Sequence, residues 1–328
     1  MRKIRIAQIG MNILSHSGEI FAAMKQLPEL FEIVGYALVE DERETCAGKM
    51  GYLKGYPELT LEEILNDPTI EAVTIETDEI HLNKYAQMAA EHGKHIHMEK
   101  PGSQCLASFE KLIETVRAGG KTFHIGYMYR YNPYIRDAID RARAGAFGEV
   151  YAVEAHMSRL DTEATRRWLG NFKGGMMFYL GCHLIDLVLQ IQGEPQEIIP
   201  LNCSIDPDGI GTEDYGMAVL KYKNGVSFVK ATALETVGQL RRQLVITGTE
   251  GMVEIRPLEE WCPYPSLTTT KNEHHKGGDP VLSTSEVTDR YTDMLTAFAA
   301  MVRGEKENPY TLDYELTLFR TVLKCCGM

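Results

Sequence analysis

The chain has no long apolar run and a shortage of positive charge. None of its apolar segments approaches the roughly 20 residues that a membrane-spanning helix needs, so we expect no membrane partner. Its 34 lysine and arginine residues are outnumbered by 46 aspartate and glutamate residues, which gives a net charge of −12. This balance disfavours nucleic acid and anionic membrane surfaces as partners.

Regular cysteine spacing and a leader-like N-terminus are also absent. The seven cysteines are odd in number and irregularly spaced, which indicates reduced thiols in a cytoplasmic protein. The N-terminus lacks a long apolar core with a small-residue cleavage site, so no signal peptide is predicted. We interpret Cys325 and Cys326 as the end of a terminal helix, and His274 and His275 as part of a solvated polar turn. No metal site is therefore predicted.

The length of 328 residues favours two domains. In the first, residues 1–126, strand-like and helix-like segments alternate, which predicts βαβ units and a doubly wound parallel sheet. The predicted strands cover residues 4–9, 31–39, 72–75, 95–98 and 122–126. The predicted helices cover residues 18–26, 61–65, 81–92 and 109–118.

The pattern changes in the second predicted domain, residues 127–328. Successive strand-like runs joined by short turns, one of them containing Asn224-Gly225, predict an α/β domain with an open, mostly antiparallel sheet. The predicted strands cover residues 150–156, 197–204, 215–222, 227–234, 239–247 and 252–256. The predicted helices cover residues 134–144, 183–192, 292–303 and 314–325.

The turn after the first strand has one feature of a dinucleotide-binding loop. Such a loop favours Gly-x-Gly-x-x-Gly, because backbone amides then approach a pyrophosphate at a helix N-terminus. Here only Gly10 is in register, and Asn12 and Ser15 take the other two places. An ordinary strand-to-helix turn explains the segment equally well.

Residues after the second and third strands are candidates for the same ligand. Glu40 would bind adenosine ribose hydroxyls and favours NAD, whereas Arg43 leaves NADP open, and a solvated loop acid is the alternative. Thr77 and His81 follow the third strand, at the edge where ligands bind in such sheets. His81 is alternatively a helix-start residue.

Two further segments suggest proton chemistry. Lys100 lies in His97-Met98-Glu99-Lys100-Pro101, and we expect Pro101 to end the strand and leave the lysine exposed at the carboxyl edge. His183 and Asp186 are spaced i, i+3 on a predicted helix, so both can face one ligand. Together these segments could place an ammonium and an imidazole around one substrate hydroxyl, which suits proton transfer coupled to hydride transfer. The alternatives are a surface lysine and a hydrogen-bonded core histidine.

Five segments, in order along the chain, carry a resemblance to a known family. They are Ala72-Val73-Thr74-Ile75-Glu76-Thr77 with His81, Gly93-Lys94-His95-Ile96-His97-Met98-Glu99-Lys100-Pro101, Gly126-Tyr127-Met128-Tyr129-Arg130-Tyr131-Asn132-Pro133, Gly145-Ala146-Phe147-Gly148-Glu149-Val150, and Lys173-Gly174-Gly175-Met176-Met177-Phe178-Tyr179-Leu180-Gly181-Cys182-His183-Leu184-Ile185-Asp186. In these segments the chain resembles the glucose–fructose oxidoreductase / inositol dehydrogenase (Gfo/Idh/MocA) family. Glu-Lys-Pro combined with Gly-x-His-x-x-Asp is the specific part.

The resemblance implies a Rossmann domain followed by an α/β domain whose open sheet makes dimer contacts, and we expect a homodimer or homotetramer. It implies NAD(P)-dependent oxidation of a secondary hydroxyl on a sugar, cyclitol or related small polyol. By analogy Lys100 positions substrate and cofactor, His183 takes the alcohol proton and Asp186 orients substrate hydroxyls. Further candidate substrate residues are Arg130, Asn132, Arg159 and Trp168. The candidate cofactor-binding residues are Gly10, Asn12, Ile13, Glu40, Thr77, His81, Glu99 and Lys100.

The chain departs from the family pattern at two places. One is the degraded glycine fingerprint. The other is Tyr179, which stands four residues before His183, where many members carry an aspartate. A tyrosine, with a reference pKa of about 10, is no carboxylate base at neutral pH, but it could donate a hydrogen bond or stack on a sugar. An enzyme that retains NAD and acts as a glycosidase, and a silent sugar-binding protein, are therefore alternatives to a dehydrogenase.

Overall fold

The computed structural model describes residues 2–263 and 265–328. The chain forms two compact units by its internal contacts, one from Met1–Tyr127 with Tyr291–Leu316 and the other from Met128–Arg290 with Thr317–Met328. The division into domains over residues 1–126 and 127–328 stays a prediction. The return of residues Tyr291–Leu316 to the first unit is a feature that the sequence patterns do not predict.

The first unit is built from alternating strands and helices. Along Met1–Tyr127 they are β1 Ile4–Ile9, α1 Ser17–Lys25, β2 Phe31–Ala37, α2 Glu42–Thr45, α3 Leu61–Asn66, β3 Ala72–Ile75, α4 Leu82–Glu91, β4 His95–Met98, α5 Leu106–Gly119 and β5 Phe123–Ile125. A 3₁₀ segment, Ala47–Leu53, follows α2. Local signals set several ends: Thr60 and Glu63 form a capping box on α3, and Gly120 ends α5 in a left-handed conformation.

The strands of this unit pair in the order β2-β1-β3-β4-β5, all in parallel. Every residue of β3 and β5 is buried, as expected for a parallel sheet covered by helices on both faces. The register aligns Ile9 with Ile75 and Ile75 with Met98. The residues that follow these strands therefore meet at one carboxyl edge, which confirms the predicted doubly wound sheet and positions the first group of site residues.

The second unit combines helices with a larger sheet. Its elements are α6 Pro133–Arg143, β6 Val150–His156, α7 Glu163–Leu169, α8 Cys182–Gln192, β7 Glu197–Pro200, β8 Tyr215–Tyr222, β9 Gly225–Thr232, β10 Gln243–Gly248, β11 Gly251–Ile255, β12 Glu260–Trp261, β13 Ser266–Thr268, β14 Thr270–His275, β15 Val281–Thr284 and β16 Thr288–Asp289. Then α9, Thr292–Val302, lies in the first unit, and α10, Leu312–Cys325, begins in the first unit and ends in the second.

The main sheet of the second unit has the strand order β15-β14-β11-β10-β6-β9-β8-β7. Its pairs are antiparallel except for β6 with β9, which confirms the predicted mostly antiparallel sheet. The turn at Lys223-Asn224 joins β8 to β9, as the Asn-Gly signal predicts. A smaller sheet has the order β12-β13-β16.

Two details of this unit differ from the sequence predictions. The interpretation of His274 and His275 as part of a solvated turn is wrong, because both belong to β14 and pair with Met252 and Gly251 of β11. A π-helical turn, Met177–Gly181, directly precedes α8, and no sequence pattern indicated it.

None of the helices in the described part of the chain combines the length and the apolar character that crossing a membrane requires.

Candidate active-site residues

The carboxyl edge of the parallel sheet begins with the loop after β1. Gly10 has φ +90°, and a Cβ atom on it would lie 2.7 Å from the backbone nitrogen and the Cβ of Thr77. The ends of β1 and β3 therefore approach so closely that only glycine fits. Asn12 is buried, its amide nitrogen donates to Glu79 Oε2 at 2.9 Å, and its Oδ1 accepts from the Leu14 amide at 2.8 Å.

Glu40 lies at the edge after β2, with φ +51°. Its carboxylate accepts hydrogen bonds from Lys84 Nζ at 2.6 Å and from the Tyr85 hydroxyl at 2.7 Å, and His81 Nδ1 lies 3.8 Å away. These bonds, chiefly the one from Lys84, lower the pKa of Glu40. The structure thus brings together two predicted cofactor residues, Glu40 and His81, and adds Lys84 and Tyr85 to them.

Lys100 and Glu99 follow β4. The Lys100 side chain is 7% exposed and its Nζ lies 3.6 Å from Glu99 Oε1, so the prediction of an exposed lysine is wrong. The strand ends before the proline as expected, but the lysine side chain is buried beside a buried carboxylate.

Buried acids surround this edge. Thr77, Glu76 and Glu79 are fully buried. Burial, reinforced by the charge of Glu99, raises the pKa of Glu76 well above its usual range. Burial also raises the pKa of Glu79 to about 8, against the opposing effect of Lys100. Glu42 lies close by, and burial raises its pKa to about 7. Near neutral pH Glu79 is therefore mostly protonated and Glu42 partly so, and in that form each can donate a hydrogen bond.

Two buried histidines, His97 and His124, lie in contact with each other near Glu76. His97 Nδ1 and His124 Nδ1 are 2.7 Å apart, and His97 Nε2 is 3.7 Å from Glu76 Oε1. Burial lowers the pKa of His97 to about 3, so this imidazole is neutral. The two histidines occupy paired positions of β4 and β5, and the Phe298 ring stacks on His124.

The chemistry of this edge fits a nicotinamide dinucleotide. Glu40 provides an acceptor for ribose hydroxyls, Lys49 and Lys100 provide ammonium groups, and Gly10 allows the close strand approach that such sites need. Ile13, 45% exposed, adds apolar surface beside the loop. The residues that would hold the cofactor therefore belong to the first unit.

The second group of candidates lies in the other unit, at the start of α8. Arg130 Nε donates to both carboxylate oxygens of Asp186, at 3.1 and 3.0 Å, and Gln190 donates to Asp186 Oδ2 at 2.9 Å. Arg130 and Asp186 are both fully buried. The structure brings these two predicted substrate residues together as partners of each other, so the role of Asp186 in orienting substrate hydroxyls stays a prediction.

His183 lies one turn before Asp186 on α8, following the π-helical turn Met177–Gly181. Its imidazole is buried and meets the Tyr129 ring edge-on, with 5.5 Å between ring centroids. The Tyr129 hydroxyl is buried close to Glu259, and burial raises the pKa of Tyr129 strongly. Glu259 also binds Arg242, with 3.0 Å between Oε2 and the guanidinium nitrogen.

An aromatic group with one cation lies around Tyr179. The Trp168 ring meets the Tyr179 ring edge-on at 5.0 Å, and the Arg159 guanidinium lies 5.6 Å from the Tyr179 centroid. Asp161 forms an ion pair with Arg159. Arg159 and Trp168 are partly exposed, whereas Tyr179 is buried. Three predicted site residues are thus brought together in one unit.

Asn132 has a different position from the other candidates. Its side chain caps α6 by accepting from the amides of Tyr134 and Ile135, and it donates to Thr269 Oγ1 at 2.8 Å. These bonds account for its side chain as a helix cap. Its predicted part in substrate binding has no further support in the second unit.

Two protein-family models match the chain. The family model described as an oxidoreductase family with an NAD-binding Rossmann fold matches residues 4–127, and the GFO/IDH/MocA C-terminal domain matches residues 135–254. The chain belongs to the GFO/IDH/MocA oxidoreductase family. This confirms the resemblance in the sequence and its Rossmann domain.

Individual relatives of this GFO/IDH/MocA protein are distant. An uncharacterised oxidoreductase, ORF334 of Rhizobium meliloti, is 25% identical and covers 90% of each chain. A D-xylose 1-dehydrogenase (NADP+) of Haloferax volcanii is 23% identical, over 86% of this chain and 85% of the relative. The crystal structure of aldose-aldose oxidoreductase from Caulobacter crescentus, complexed with glycerol, is 18% identical with a TM-score of 0.82, over 99% and 98% of the two chains. At that identity it shows the shared fold.

Sequence reasoning did not single out several groups of the two sites. Glu76, Glu79 and Lys49 belong to the first, and Tyr129 and Asp161 to the second. Glu76 could have been predicted from the strand register, because it follows β3 as Glu99 follows β4. No local pattern indicates that Lys49 reaches the loop after β1.

Proposed function

We propose that this protein is an NAD(P)-dependent dehydrogenase that transfers a hydride between nicotinamide and a secondary alcohol of a sugar, cyclitol or related polyol. The observation that carries the proposal is Lys100, whose ammonium is buried beside Glu99 directly after β4. Lysine is almost never buried unless it is paired, and this one lies at the edge where such sheets bind nucleotides. The distant relationship to a D-xylose dehydrogenase supports a carbohydrate-like substrate.

The proton chemistry falls to the chain's own residues. Oxidation of a secondary alcohol removes a hydride from carbon and a proton from oxygen, and bound NAD(P)⁺ supplies the hydride acceptor. Lys100 donates a hydrogen bond to the reacting oxygen, and His183 accepts the hydroxyl proton on an imidazole nitrogen. The Arg130–Asp186 pair, held by Gln190, fixes the first turns of α8 and thereby the direction of His183.

The substrate class is argued from the group around Tyr179. Trp168 and Tyr179 provide aromatic surface for the C–H face of a sugar or cyclitol ring, and Arg159 with Asp161 provides charged partners for its hydroxyls. Tyr179 donates a hydrogen bond here, in the place where many family members have a carboxylate. We therefore assign the direct contacts with substrate hydroxyls to Arg159 and Asp161 more than to Asp186, because the Asp186 carboxylate is already paired with Arg130.

Glu40 favours NAD over NADP. Lys84 and Tyr85 lower the pKa of Glu40, so its side chain is a carboxylate at neutral pH and repels a 2′-phosphate. The neighbouring Lys84 would offset part of that repulsion. We therefore expect NAD⁺ to bind more tightly than NADP⁺, and Glu40→Gln to narrow the difference between the two dissociation constants.

The direct test is a screen of aldoses and cyclic polyols with NAD⁺ or NADP⁺, measured as the absorbance of reduced nicotinamide. Lys100→Met should lower kcat by roughly a hundredfold or more, with an unchanged circular dichroism spectrum. Lys111→Met, a change of an exposed lysine on α5, is the matched control and should leave kcat unchanged. Wild-type kcat in Lys100→Met would contradict the proposal.

The same screen separates the alternatives. Cleavage of a glycoside without net nicotinamide reduction would indicate an NAD-retaining glycosidase, and sugar binding without chemistry would indicate a silent binding protein. The proposal includes assembly into a homodimer or homotetramer that binds a small carbohydrate-like substrate. Light scattering of the purified protein measures that assembly.

A further inference from the structure

The loop after β1 uses its backbone amides internally. The Asn12 amide donates to Ser17 Oγ at 3.0 Å, and the Ser17 amide donates to Ser15 Oγ at 3.2 Å. The Leu14 amide donates to Asn12 Oδ1. A Rossmann unit normally directs such amides at the diphosphate of its ligand. Three amides of the loop and of the first residue of α1 are therefore already bonded to nearby side chains and are not available to a diphosphate.

Lys49 brings a cation to the same loop. It lies on the 3₁₀ segment Ala47–Leu53, and its Nζ donates to the carbonyl oxygens of Asn12 at 3.0 Å and Ser15 at 2.5 Å. An ammonium has three N–H donors, so these two bonds leave one for a ligand. Both carbonyls belong to the turn in which glycines are replaced.

The Lys49 ammonium has no carboxylate at ion-pair distance, 4.0 Å, within residues 2–263 and 265–328. The acids that influence it, Glu19 foremost and then Glu76 and Glu99, lie farther away, and burial lowers the pKa of Lys49 despite them. A partly buried cation without a counter-ion is unfavourable unless a ligand supplies the negative charge. The Lys49 ammonium contacts the loop after β1, and the end of that strand is where this architecture binds phosphates.

We propose that Lys49 binds the diphosphate of the nicotinamide dinucleotide and replaces the backbone amides of the usual glycine-rich loop. The proposal rests on the proposed function, because it requires that the protein binds NAD(P). It accounts for the loss of two glycines together with the position of this lysine. The Asn12 side chain bonds to an amide of its own loop, and Lys49, bonded to the carbonyl oxygens of Asn12 and Ser15, presents the positive charge.

The test measures binding and needs no turnover. Dissociation constants of NAD⁺, NADP⁺, ADP-ribose and adenosine are determined by calorimetry for the wild type, Lys49→Met and Lys49→Arg. Lys54→Met is the matched control, because Lys54 directly follows the same 3₁₀ segment and is exposed. Circular dichroism and thermal unfolding confirm that each variant is folded.

We expect Lys49→Met to weaken NAD⁺ and ADP-ribose binding by roughly ten- to a hundredfold, the effect of one lost charge-assisted hydrogen bond. Adenosine, which has no phosphate, should bind with an unchanged dissociation constant, Lys49→Arg should retain part of the affinity, and Lys54→Met should match the wild type.

Three results would overturn the assignment. If the wild type binds NAD⁺ and Lys49→Met binds it equally well, Lys49 does not contact the diphosphate and the proposed function still stands. If adenosine binding weakens as much as NAD⁺ binding, Lys49 only shapes the loop. If the wild type binds neither NAD⁺ nor NADP⁺, the proposed function fails and the role of Lys49 fails with it.

Discussion

Arg130 holds the carboxylate of Asp186 through two guanidinium nitrogens, Nε and Nη2, and neither side chain is exposed to solvent. The pair joins a 3₁₀ turn, Met128–Tyr131, to the first half of α8. It is therefore the link between the backbone that carries Tyr129 and the helix that carries His183.

This link predicts a large stability effect when one partner is removed. Asp186→Ala leaves the buried Arg130 guanidinium without the Asp186 carboxylate, and we expect the free energy of unfolding to fall by about 3–5 kcal/mol. Denaturant titration measures the change. Asp140→Ala, which removes an exposed i, i+4 partner of Arg136, is the control and should cost less than about 1 kcal/mol. Equal losses in the two variants would show that the buried pair is no stronger than a surface pair.

Gly10 and Gly93 allow a clash to be separated from backbone strain. Both have positive φ, +90° and +67°, but a Cβ on Gly93 meets nothing within 4 Å, whereas one on Gly10 meets Thr77 at 2.7 Å. Gly93→Ala should cost about 1–2 kcal/mol from strain alone. Gly10→Ala should lower the melting temperature further and weaken NAD⁺ binding, because β1 and β3 must separate. Similar melting temperatures for the two variants would contradict the close approach.

Glu79 predicts a pH dependence of stability. Its pKa in the folded protein is about 8. Burial is the main cause of the increase, the charge of Lys100 opposes it, and the charges of Asp78 and Glu99 add to it. A raised carboxyl pKa means that the folded state prefers the protonated form. The contribution of Glu79 to the free energy of unfolding is therefore complete below its unfolded pKa of about 4.3, and it is lost as pH rises through about 8.

The measurement is the melting temperature of the wild type and of Glu79→Gln between pH 5 and about 9. The amide mimics the neutral acid and keeps an oxygen to accept from Asn12, so the variant should lose less stability across this range than the wild type. Parallel curves for the two proteins would indicate that Glu79 ionises normally.

Trp168 predicts a change in substrate binding without a change in cofactor binding. Trp168→Ala removes aromatic surface next to Tyr179, and we expect KM for the carbohydrate to rise by roughly tenfold. The dissociation constant of NAD⁺ should not change, because the residues that would hold the cofactor lie in the first unit. Tyr151→Ala, an exposed aromatic change on β6, serves as the control. A selective loss of NAD⁺ affinity would contradict the assignment of Trp168 to the substrate.

The backbone was predictable from the sequence where local signals act. β3, β4 and β6 have the bounds that the sequence predicts, since short strand-like runs are recognised from local sequence alone. The carboxyl edge that collects Gly10, Thr77 and Glu99 follows from the parallel order of these strands. The sheet topology therefore brings these predicted cofactor residues to one edge of the first unit.

The side-chain partners in that region were not predictable. Arg130 lies 56 residues before Asp186, and no spacing rule relates them. Lys100 was expected in solvent because lysine usually is, but a long side chain can fold back to an acid buried with it. The π-helical turn before His183 has no composition of its own, since its residues also suit an α-helix. Such pairings depend on tertiary packing.

The return of Tyr291–Leu316 to the first unit bears on how the protein is made. Phe298, which packs on the histidine pair of β4 and β5, is synthesised after the whole eight-stranded sheet of the second unit. During synthesis on the ribosome, His97 and His124 of the parallel sheet therefore stay uncovered by α9 until nearly all of the chain has emerged. The unit encoded first is thus completed only after the sheet of the second unit has been synthesised.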